Sequence, residues 1–246
     1  MGFKDLFSAH AAQYAQFRPH YPRELFAWVA SLPPQRRLAV DVGTGNGQAA
    51  VELASRFDRV IGVDPSAQQI ASAPAALGVE YRVGRAEATG VEPASADLIT
   101  VAQAFHWFDY AAFFTEVRRI CAPDGLLVVW CYGLTAITPE IDAVVTEYYE
   151  GMLGPFWEPE RRLVETGYRT IQAPFEEIPA PSLMLELRWS FEQLVGYLGT
   201  WSPRKRYEAA HGADALEAIF PKLERVWGGA DERLISWPLS IRAFRV

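Results

Sequence analysis

Leu38-Ala39-Val40-Asp41-Val42-Gly43-Thr44-Gly45-Asn46-Gly47 decides the fold. A run of buried-strand character ends beside an acid, and three glycines at alternate positions follow before a helical pattern begins. Glycines between a strand and a helix let the backbone turn sharply and approach a ligand without a Cβ in the way. Residues 47–57 then read as a helix with Ala50, Val51, Leu53, Ala54 and Phe57 on its apolar face, and residues 60–64 as a second strand. Ser66 caps the next helix, which Pro74 and Gly78 close before strands at 79–83 and 98–102. Residues 110–121 have helical spacing, and Pro123-Asp124-Gly125 turns the chain into a fifth strand at 126–130. This alternation is the signature of βαβ units and a parallel sheet.

On either side the rhythm changes. Helices at 8–16 and 22–31 make an N-terminal arm placed to cover a ligand. Helices at 137–153 and 161–166, divided by Gly154-Pro155 and Trp157-Glu158-Pro159, read as a lid inserted after strand five. Late strands are expected at 183–189 and 234–246, with helices at 191–198 and 204–225 between them. The expected fold class is therefore α/β: a seven-stranded, mostly parallel sheet with helices on both faces. Residues 1–134 form its ligand-binding core and arm, 135–181 the lid, and 182–246 the elements that complete the same core.

With 246 residues, half of them hydrophobic, the chain can build one large core, or a core plus a lid. No N-terminal apolar run follows a basic stretch and no apolar run reaches the roughly 20 residues that a membrane helix needs, which disfavours export and spanning and leads us to expect a cytoplasmic protein without a membrane partner. Cys121 and Cys131 are too few for a disulfide framework or a zinc cluster and read as buried and reduced. A net charge of −7 argues against nucleic acid and leaves a small molecule as the default partner. His10, His20, His106 and His211 show no metal-ligand spacing, so no metal is expected.

Asp64 closes the second strand about 20 residues beyond the glycines, the spacing at which a carboxylate receives both hydroxyls of a ribose. Two nucleotide readings compete. A dinucleotide fingerprint requires Gly-x-Gly-x-x-Gly, whereas here the third glycine comes one position early and Gln48 takes the dinucleotide slot. An acid near the end of the strand followed by Gly-x-Gly-x-Gly instead resembles motif I of class I methyltransferases. Further matches occur in order: Gly84-Arg85-Ala86-Glu87, Ala104-Phe105-His106-Trp107-Phe108-Asp109, Tyr14, Arg18-Pro19 and Tyr21-Pro22 before the first strand, and Thr200-Trp201-Ser202 late in the chain. Together they are similar to the methyltransferase type 11 group, which includes trans-aconitate methyltransferases.

That resemblance implies a Rossmann-like fold and the cofactor S-adenosyl-L-methionine, with S-adenosyl-L-homocysteine as product. It implies cofactor contacts from Tyr14, Arg18, Asp41, Gly43, Thr44, Gly45, Gly47, Asp64, Pro65, Ala86, Glu87 and Gln103. Arg85 stands where many members carry an acid, which shifts the expected adenine contact to Glu87 or to backbone.

The segment after the fourth strand lies at the carboxyl edge of the sheet, where open α/β sheets bind ligands. His106 and Trp107 are the candidate catalytic residues, and Phe105, Phe108 and Trp201 the candidate acceptor contacts. Aromatic ring faces attract a sulfonium cation, although each ring is also a candidate for simple core packing. His106 reads either as a general base or as a hydrogen-bonded structural ring. A carboxylate acceptor, already ionised at neutral pH, would need no base. The expected reaction is methyl transfer to a small molecule, for instance a carboxylic acid, by a monomer or homodimer. A nicotinamide-dependent oxidoreductase and a noncatalytic cofactor-binding protein are the alternatives.

Overall fold

Strand β1 (Leu38–Val42) is buried at every position because it is central, pairing in parallel with β2 (Arg59–Asp64) on one side and β4 (Ala96–Ala102) on the other. A strand covered on both faces has no solvent side on which to alternate polar residues, hence its continuous apolar run. The computed structural model describes residues 17–246. Strand β3 (Val79–Val83) joins β2, and β5 (Cys121–Tyr132) joins β4, both in parallel. The long β8 (Arg233–Arg245) then runs antiparallel to β5.

Among the described residues the sheet has eight strands rather than the seven expected, in the order β3-β2-β1-β4-β5-β8-β6 with β7 also on β8. Two short strands share the outer edge of β8. Strand β6 (Glu176–Ile178) pairs with its C-terminal end and β7 (Leu183–Trp189) with residues 233–239. The sheet is thus seven positions wide. The additional strand, Glu-Glu-Ile, is too short to carry a readable alternation.

Helices α1 (Arg23–Ser31), α2 (Gln48–Ala54), α3 (Ala67–Ser72) and α4 (Tyr110–Ile120) belong to the first half. Successive side chains on a strand face opposite ways, and the sheet sorts accordingly. Ala39, Leu98, Val128 and Trp130 enter one apolar cluster, whereas Val40, Ile99, Val101 and Val129 enter the other with Phe113 and Val117 of α4. Helices therefore cover both faces.

After β5, α5 (Pro139–Thr146) continues into a π-helical turn, Glu147–Met152, and α6 (Arg161–Glu165) follows. Ile141, Val145 and Tyr148 of this segment share the first cluster with Leu194 and Leu198 of α7 (Phe191–Gly199) and Leu223 of α9 (Ala215–Trp227). The single helix expected at 204–225 is two. Gly212, at φ +68°, ends α8 (Pro203–His211) in the left-handed conformation, and the Asp214 side chain caps α9 by accepting from the Leu216 amide. The helix expected at 8–16, with Tyr14, lies outside the described residues. Among the described residues, no helix is long and apolar enough to cross a membrane.

One buried acid ties the entry of β1 to β4. Asp97 accepts from the Arg37 and Leu38 amides at 2.8 and 3.2 Å and from the Arg37 guanidinium at 2.6 Å. Burial pushes its pKa up, but these hydrogen bonds outweigh burial and hold it below the usual carboxylate range. Asp97→Ala strands two amides and should cost about 2–3 kcal/mol in urea unfolding. Arg37→Ala leaves both amides satisfied and should change stability far less; equal losses would contradict this division.

Candidate active site

The turn after β1 is held from above by the end of β2. The Gly43 and Thr44 amides donate to the Val63 carbonyl at 2.8 and 3.1 Å, and the Gly45 amide donates to Asp64 Oδ2 at 2.9 Å. The other Asp64 oxygen accepts from the Ser66 amide at 2.9 Å, while the Ser66 side chain caps α3. Gly43, Gly45 and Gly47 have φ of +72°, +56° and +85°, a region that residues with a Cβ rarely adopt.

Space around the turn is uneven. A Cβ on Gly43 would clash with Ala104 Cβ, and one on Gly47 with Tyr81 Oη. A Cβ on Gly45 would meet nothing within 4 Å. The turn is packed at its two ends and open in the middle, where a ligand can reach the backbone. Asp41 works from beneath: it is buried and accepts from the hydroxyls of Thr44 at 2.6 Å and Thr100 at 2.8 Å. Burial raises its pKa to about 6, against the lowering effect of both hydroxyls.

Pro65 and Glu87 are half-buried near this turn and Ala86 is buried. Glu87 is paired with Arg85 at 3.2 Å and accepts from the Asp109 amide at 3.1 Å, so the departure at Arg85 has a local counter-charge. Phe108 is half-buried, with its ring 3.4 Å from the position of a Gly43 Cβ, against the turn. Phe105 is fully buried among Phe108, Tyr110, Phe113, Phe114 and Tyr168 and lines neither of the cavities described next, so its expected acceptor contact gives way to core packing.

Beyond Gln103 two adjoining cavities of about 850 and 60 Å³ share Gly133, Trp157, Glu158 and Arg161. The smaller is lined also by Arg18, Gln103, His106, Trp107 and Trp201. Gln103 sits at φ +55°, a strained turn for a non-glycine residue, fixed by its amide on the Trp130 carbonyl at 3.0 Å and its Nε2 on the Tyr132 carbonyl at 3.1 Å. The sheet edge, Arg18 and the segment inserted after β5 therefore meet at one place.

His106 Nδ1 is joined to Tyr168 Oη by a hydrogen bond of 3.1 Å, and its other nitrogen makes none among the described residues. Burial, assisted by the charge of Arg161, pushes its pKa down to about 3. Tyr168 is buried at φ +62°, anchored by its amide on the Leu163 carbonyl. The sequence patterns do not reveal Tyr168, Tyr149 or Arg161, because the segment after β5 obeys no strand-helix rhythm; Gly167, left-handed in the structure, is the local signal before Tyr168. No group of three His, Cys, Asp or Glu side chains placed to hold a metal occurs among the described residues.

The chain is similar to known methyltransferases. The profile of a methyltransferase domain, type 11, matches residues 40–129, which run from β1 into β5. A candidate methyltransferase of Dictyostelium discoideum is 37% identical over 233 residues, spanning 93% of this chain and 89% of its own. An uncharacterised methyltransferase of Mycobacterium tuberculosis is 36% identical over 126 residues, 50% of this chain and 51% of that one. The solved structure of a candidate type II methyltransferase from Anaeromyxobacter dehalogenans is 46% identical and superposes with a TM-score of 0.88, over 93% of this chain and 98% of that one. The chain belongs to the S-adenosylmethionine-dependent methyltransferase family.

Proposed function

We propose that this methyltransferase acts on a small molecule, a carboxylic acid, held in the cavity beyond Gln103 and His106. S-adenosylmethionine supplies an electrophilic methyl group on a sulfonium. The open middle of the Gly43–Gly47 turn is offered to its methionine part, the Asp64 carboxylate to its ribose, and the surroundings of Ala86 and Glu87 to its adenine. Asp41 shapes the turn through Thr44, and Arg18, with Tyr14, is the candidate partner of the cofactor carboxylate. Asp64 accepts from the Gly45 and Ser66 amides, and carboxylate oxygens are the natural acceptors for the hydroxyl donors of a ribose.

His106 carries the choice of acceptor. A ring held neutral and weakly basic by burial is a poor remover of protons, so the site suits an acceptor that arrives ionised. Attack by a carboxylate on a sulfonium cancels charge as the transition state forms, and a cavity walled by Trp107, Trp157 and Trp201 excludes the water that would oppose this. His106 and Trp107 then position the acceptor for in-line displacement rather than exchange a proton with it.

Methyl transfer from labelled S-adenosylmethionine should be detected with small carboxylic acids and not with matched amines or phenols; the reverse selectivity would overturn the acceptor reading. Asp64→Ala should weaken S-adenosylhomocysteine binding by about 10- to 100-fold in calorimetry, as expected for loss of charge-assisted hydrogen bonds. Unchanged affinity would remove Asp64 from the cofactor site.

The protonation of His106 has a stability signature. The unfolded chain takes up a proton here near pH 6.5, while the folded ring stays neutral down to about 3. Its contribution is therefore present above pH 6.5 and is lost as pH falls toward 3. Wild type should lose stability relative to His106→Asn by up to about 1.4 kcal/mol per pH unit below 6.5. Titration of the labelled ring by NMR should show no midpoint between pH 5 and 8, and a midpoint near 6.5 would restore the general base.

A further inference from the structure

We infer that Arg161 selects the acceptor by gripping an anionic group of it in the cavity, an assignment that rests on the methyl-transfer reading above. Arg161 opens α6 and lines both cavities, so it stands where the large space narrows toward His106. Its guanidinium lies against the rings of Trp157 at 5.0 Å and Tyr149 at 5.4 Å. Arg161 Nε donates to Tyr149 Oη at 2.7 Å, and Tyr149 donates in turn to Glu165 Oε1 at 2.6 Å. One edge of the fork is thus fixed by a hydroxyl backed by a carboxylate.

The rest of the guanidinium faces no acid. Among the described residues no carboxylate lies within 4.0 Å of it, and its terminal nitrogens make no hydrogen bond. Glu158, the acid that lines both cavities with it, is engaged by Arg206. Elsewhere in the second half of the chain arginines meet acids directly, as in Arg204 with Asp214 and Arg242 with Glu177. A cation backed by two rings and braced at Nε, with its fork open to the cavity, is preorganised for a planar anion. A carboxylate can take both terminal N–H groups at once, a geometry that lysine does not reproduce. Bracing lowers the ordering cost of binding, and the ring wall around the fork strengthens the charge contact by excluding water.

The same residue explains why His106 is useful as a neutral ring. The Arg161 charge opposes a cation at His106, so beside this fixed positive charge the cavity offers a neutral hydrogen-bonding ring. An anion is drawn to the first and oriented by the second.

The test uses the full chain saturated with S-adenosylhomocysteine and a panel of small aliphatic and aromatic carboxylates, each paired with its amide, with binding read by calorimetry. Carboxylates should bind at least 10-fold more tightly than their amides. Arg161→Gln should remove that preference, and Arg161→Lys should restore only part of it. Both variants should keep wild-type affinity for S-adenosylhomocysteine, which also shows that they fold. Equal binding of acids and amides by wild type, absence of any carboxylate binding, or an undiminished acid preference in Arg161→Gln would each overturn the role of Arg161. Failure of wild type to bind S-adenosylhomocysteine would instead strike at the methyl-transfer reading.

Discussion

The Asp64 carboxylate is the joint on which the site depends. It sits at the end of β2, in parallel register with the strand whose glycines it restrains, and holds the Gly45 amide with one oxygen and the Ser66 amide with the other. One side chain thereby fixes both the ligand turn and the start of α3. Asp41 and Thr100 complete the restraint from below, so the turn is clamped between two buried acids. Two nearby carboxylates repel, and this is among the causes that raise the Asp41 pKa. The turn tolerates that cost because its hydrogen bonds leave little room for relaxation.

A second constraint comes from the far side. The lid shares a core with α7 and α9, so its polar face is carried on a packed support rather than on a free loop. That support fixes Trp157, Arg161 and Tyr149 opposite the strained Gln103 turn. The glycine turn is built by the parallel strands, whereas the cavity combines the sheet edge and Arg18 with the insertion and the C-terminal elements.

This division also explains what could be read from the sequence. The parallel half was legible because each of its features has a local physical cause: continuous burial in β1, three glycines in a left-handed turn, a serine cap at residue 66, an acid at the end of β2. The split at Gly212 was readable in principle, since a glycine followed by Asp214 is a stop and a start, yet the apolar spacing on both sides masks it. The roles of Tyr168, Tyr149 and Arg161 arise only from contacts across long sequence separations, such as His106 with Tyr168 at 62 residues. Phe105 shows the opposite case, a ring beside the site in sequence that turns into the core in space. Charged and aromatic residues in an irregular insertion carry no periodicity that would separate a site from a packing contact.

A crystal structure with S-adenosylhomocysteine bound is the most direct measurement of the proposed site. The ligand should lie across the middle of the Gly43–Gly47 turn with its ribose hydroxyls on Asp64 and its sulfur facing the Gln103–His106 side. A ligand bound away from Gly45, or a ribose that leaves Asp64 untouched, would contradict the assignment.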